Sequence, residues 1–106
     1  MIKVIYNRNQ PSVSIEGHAG SAEAGHDLVC ASVSILAYTL SSILEGVDEG
    51  QFKDLTVDLK EGEAMISCDP IEDYRLSIKL IFDTICAGFD ILAQAYPDNV
   101  SFEIID

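Results

Sequence analysis

The chain has no tryptophan and few cations: six Lys and Arg stand against eighteen Asp and Glu, a formal charge of -12 over 106 residues. A field of that sign repels phosphate backbones and anionic bilayers, so neither nucleic acid nor a membrane is expected as a direct partner. It attracts basic peptides, although the same charge also serves plain solubility. There are only three cysteines, an odd number, and no charged leader followed by an apolar run opens the chain. A disulfide framework is therefore not expected, and the reducing cytoplasm is the expected compartment. No uninterrupted apolar stretch approaches the roughly 18 residues that suggest a membrane span. With three prolines and neither a repeat nor a low-complexity tract, nothing marks an internal boundary.

The residues that are present suffice for a core. Hydrophobic residues make up 48% and charged residues 23%, which argues against disorder and for one domain over residues 1–106. Ile2 to Tyr6 is β-rich, and Ser12 to Glu16 alternates with Val13 and Ile15 on one face. A stripe of Val29, Val33, Leu36, Leu40, Ile43, Leu44 and Val47 predicts a helix from about Leu28 to Val47, with Asp27 as its N-cap. Leu55, Val57 and Leu59 alternate, Glu61-Gly62 turns, and Ala64 to Cys68 returns as a hairpin that Asp69-Pro70 ends. Tyr74, Ile78, Ile81, Phe82, Ile85, Phe89, Leu92, Ala93 and Tyr96 step by three or four, predicting a second helix closed by Pro97. Val100 to Ile105 is the last strand. The order β-β-α-β-β-α-β predicts an α+β fold of two layers, a mainly antiparallel sheet with both helices on one face.

Chemistry is concentrated between residues 17 and 34. Gly17, Gly20 and Gly25 make the approach to the first helix read as a loop with few large side chains, expected to be mobile before substrate binds. An N-cap at Asp27 would put Cys30 at the third helical position, where free amide N–H groups and the helix dipole favour a thiolate. Cys30 then lies on the flank of the apolar stripe, with Asp27 and Ser34 beside it. His18 ends the preceding strand and can reach the helix start as a proton acceptor, and the helix N-terminus or the Gly17–Gly20 turn can supply oxyanion donors. The same spacing equally suits a small buried thiol and a plain loop histidine. His18, His26, Asp27 and Cys30 are possible metal ligands but lack the paired spacing of zinc motifs, so no metal or other cofactor is expected. No Lys-Ser or Lys-Thr follows the glycines, against a phosphate loop. Cys68 and Cys86 read as packing residues, His26 as a solvated loop residue, and Glu61 and Glu63 as solvated turn residues.

The run Gly17-His18-Ala19-Gly20, then Gly25, then Asp27-Leu28-Val29-Cys30-Ala31, then Val33-Ser34, resembles the signature of the ribosomal-processing cysteine protease family Prp. The resemblance implies a catalytic dyad of His18 and Cys30 with Asp27 and Ser34 in support. It implies a cysteine endopeptidase that removes the N-terminal extension of large-subunit ribosomal protein number twenty-seven, cutting after an aromatic residue. The implied partner is the basic N-terminal tail of that ribosomal protein, and the implied assembly is a homodimer. Ser21 stands where the family often has an aromatic, which bears on loop packing and on part of the substrate contact without touching the dyad. The rival reading is a non-enzymatic ribosome-associated or assembly factor that binds a basic peptide without cutting it.

Overall fold

A computed structural model describes residues 1–17 and 24–106, with residues 24–27 described by backbone alone. Strands β1 (Ile2–Asn7) and β2 (Ser12–Glu16) precede helix α1 (Ala24–Gly46). Strands β3 (Phe52–Lys60) and β4 (Glu63–Pro70), helix α2 (Arg75–Ala95) and strand β5 (Val100–Ile105) follow. Short 3-10 turns at Glu49–Gln51 and Glu72–Tyr74 lead into β3 and α2. The five strands form one sheet in the order β3-β4-β2-β1-β5, antiparallel except for the β1–β5 pair. This is the expected α+β fold, with the expected element order.

Alternation decides which face is buried. Ile2, Val4 and Tyr6 of β1, Val13 and Ile15 of β2, and Ile66 and Cys68 of β4 point into one layer. There they meet Val29, Val33, Ala37, Leu40 and Leu44 of α1 and Ile78, Phe82, Ile85, Cys86 and Phe89 of α2. The opposite face carries Ser12, Ser14, Ser67, Thr56 and Asp58, which suits water. The ring of Tyr6 stacks on Phe82 at 6.0 Å between centroids, and its hydroxyl donates to Asp83 at 2.8 Å. Burial and the neighbouring Asp83 carboxylate push the Tyr6 phenol well above its usual range. Arg8 closes the cluster on the solvent side, 3.3 Å from Asp83.

Two expectations about α1 need correction. Asp27 is not the N-cap, because the helix already includes Ala24, Gly25 and His26. Ala is the strongest helix former and an interior Gly costs only about 1 kcal/mol, so packing of the buried stripe that starts at Val29 carries the helix through Gly25. The apolar stripe is also less complete than expected: Ile43 is exposed, while Ala37 and Ser41 are buried in the places it left open. The segment Leu28–Gly46 is long and apolar enough, by length and composition, to cross a bilayer, although Ser and Thr interrupt it. Val29, Leu40 and Leu44 are committed to the protein core instead.

Candidate active site

The first half of α1 lies over one end of the sheet, and a cavity of about 380 Å³ opens there. Its wall on the helix side is Cys30, Ser34 and Tyr38, one residue per turn. Ile2, Ile15, Val33, Ala37 and Ala64 give it an apolar floor. The β3–β4 turn from Leu59 to Glu63 forms the far wall, and Gly17 stands at its edge.

Gly17 is held in place by geometry that only glycine tolerates. Its φ is 105°, and a Cβ there would run into the carbonyl oxygen of Met1. Its N–H donates to the Gly62 carbonyl at 2.9 Å, which ties the exit of β2 to the β3–β4 turn. Gly62, at φ 77°, supplies the left-handed residue that the turn needs. Gly17 thereby holds the end of β2 at the rim of the cavity that Cys30 faces.

Cys30 is half-buried and packs against the core edge, on the helix flank where the periodicity puts it. Its place along the helix differs from expectation. With α1 including Ala24, Cys30 is no earlier than the seventh helical residue, beyond the four amides left free at a helix start. Its own amide therefore lies within the helical ladder and not among the free N–H groups of the first turn. Ser34, exposed one turn on, shares the cavity wall with Cys30. His18 and Gly20 lie outside the described residues, and only the backbone of Gly25, His26 and Asp27 is described. Gly25 belongs to the helix rather than to a loop.

The other two thiols are packing groups, as expected. Cys68 and Cys86 are buried, and burial pushes their thiols up to about 11 and about 12. Cys30 is thus the thiol with access to a cavity. Glu61 and Glu63, read from the sequence as plain turn residues, belong to the cavity wall. Their placement depends on β4 pairing with β2, register Glu16 with Glu63, which brings the turn beside the end of β2. A non-local pairing of that kind leaves no local signal. Among the described residues no group of three or more His, Cys, Asp or Glu is arranged to hold a metal ion.

A half-buried thiol on the wall of an apolar-floored cavity sets a candidate nucleophile beside space for a substrate side chain. The chain belongs to the cysteine protease Prp family, whose model matches residues 1–101. Membership decides for a protease over a passive peptide binder. No curated protein matches the chain. Among solved structures it is similar to the ribosomal processing protease Prp of Staphylococcus aureus with a covalently linked product peptide. That pair is 21% identical with a TM-score of 0.78, over 99% of this chain and 100% of the other. The same S. aureus protein with a substrate peptide matches equally well, at 21% identity and a TM-score of 0.78. SMU.848 from Streptococcus mutans is 30% identical with a TM-score of 0.70, over 98% of this chain and 91% of that one.

Proposed function

We propose that the chain removes the N-terminal extension of large-subunit ribosomal protein number twenty-seven, cutting after an aromatic residue, with Cys30 as nucleophile and His18 as base. The observation that carries this reading is the half-buried Cys30 on the wall of a cavity with an apolar floor, in a chain of the Prp family. The S. aureus relative is a ribosomal processing protease, which supports the substrate class. An apolar floor suits an aromatic side chain, and a charge of -12 suits a basic tail.

In this mechanism His18 takes the Cys30 proton and the thiolate adds to the carbonyl carbon after the aromatic residue. The C–N bond then breaks, His18 passes the proton to the leaving amine, and a thioester remains on Cys30. Water, deprotonated by His18, releases the N-terminal fragment and restores the thiol. Oxyanion donors in this reading come from the helix N-terminus or the Gly17–Gly20 turn. Asp27 and Ser34, one turn to either side of Cys30 on the helix, shape the site. The reading includes a cytoplasmic setting, which suits three unpaired cysteines, and a homodimer.

The test is incubation with a peptide carrying the extended tail, followed by mass spectrometry of the products. A single cut after an aromatic residue is the expected result; an intact peptide, or cuts scattered without regard to aromatics, would refute the substrate assignment.

A further inference from the structure

The cavity at Cys30 does not end at Tyr38. Tyr38 and Leu59 also line a second, shallower groove of about 680 Å³, which continues between α1 and β3 past Ser42 and Glu45 to Val57. Its floor is the helix-facing side of β3, where Val57 and Leu59 are half-buried rather than covered. Among the described residues β3 has β4 as its only neighbour, so its outer edge runs open along this groove. In an antiparallel strand alternate residues aim N–H and C=O groups away from the paired side, and an open edge offers them to an added strand. A β-bulge between Phe52 and Asp54 and the Lys60–Asp58 ion pair blunt its two ends. The stretch from Leu55 to Leu59 is left available.

The groove has a charge as well as a shape. Glu45 is exposed on its helix wall and holds the Ser41 hydroxyl at 2.9 Å, which fixes the carboxylate over the groove. The acidic Glu61–Glu63 turn stands at the cavity end, within a chain of net charge -12. We propose that a Lys- or Arg-bearing substrate segment flanking the scissile bond binds in this groove as an added strand on the outer edge of β3. Its apolar side chains rest on Leu59 and Tyr38 and its cations face Glu45. The assignment rests on the reading that Cys30 cuts the peptide in the adjoining cavity. It makes recognition depend on main-chain hydrogen bonds and charge well away from the cut bond.

The test measures binding, so that it does not depend on chemistry. A fluorescent peptide with an aromatic residue and an extended Lys-bearing flank is titrated onto the Cys30→Ser protein, and each flank amide is N-methylated in turn. Added-strand binding predicts that methylation at every second position weakens binding about tenfold or more, with little effect at the positions between. Glu45→Lys and Ser42→Arg, both exposed helix positions, are predicted to weaken binding by about tenfold, and Glu45→Gln by less. Uniform sensitivity along the flank, or variants that bind like the parent, would overturn the proposal. Cleavage of the same peptide by the unsubstituted chain is scored separately. Alternating sensitivity without cleavage keeps the groove and removes the Cys30 reading, whereas cleavage without alternation removes the groove and keeps the protease.

Discussion

Cys30 owes its exposure to its neighbours on the helix. Val29 and Val33 take the buried stripe, and Cys30, about 60° beyond Val33 round the helix, is left half-buried at the cavity wall. Cys30→Ala is therefore predicted to abolish cleavage while changing stability by no more than about 1 kcal/mol, checked by product assay and thermal melting. His18→Ala is predicted to lose activity to a similar degree, and the double variant to be no worse than either single one, since groups acting as a unit give non-additive losses. Additive losses in that cycle would separate His18 from Cys30. At Cys68 and Cys86 the sign is opposite to that of an activated thiol. Their pKa values are raised in the folded state, from 9.0 to about 11 and about 12, so the fold holds these protons more tightly than the unfolded chain. That contribution is complete below pH 9.0 and is lost as pH climbs toward 12. Melting temperature should fall across this window, and Cys86→Ala should flatten the decline.

At the level of elements, Gly17 couples the end of β2 to the β3–β4 turn. Gly17→Ala is predicted to destabilise by about 1–3 kcal/mol through backbone strain, on top of the collision with the Met1 carbonyl, and to lower activity by loosening the cavity rim. Denaturant unfolding beside a peptide assay checks both. The elements themselves were largely legible in the sequence: β2 and β5 have the bounds that alternation implies, and α2 differs by one residue at each end. The start of α1 was not legible, because glycine reads as a breaker while the packing that overrides it is tertiary. The cavity was half legible. Cys30 and Ser34 share a helix face by periodicity, but the turn at Glu61–Glu63 reaches them only through the β4–β2 pairing. The open edge of β3 likewise follows from sheet order, which local patterns do not encode.

Across the whole molecule the dominant feature is charge, and it acts on encounter rather than on fold. Cleavage of a Lys-bearing peptide is predicted to slow as salt rises, and to slow more than cleavage of a neutral analogue of the same length, read as kcat/KM against ionic strength. Parallel salt profiles would show that the net charge serves solubility alone. The central claim is that Cys30 forms a bond to the substrate acyl group. Its most direct measurement is an acid-quenched reaction with the tail peptide, followed by mass spectrometry that locates the acyl fragment on the protein. A thioester on Cys30 carrying the N-terminal fragment, absent from the Cys30→Ala protein, is the predicted result. Undiminished cleavage by Cys30→Ala, or an acyl group located on any other residue, would contradict it.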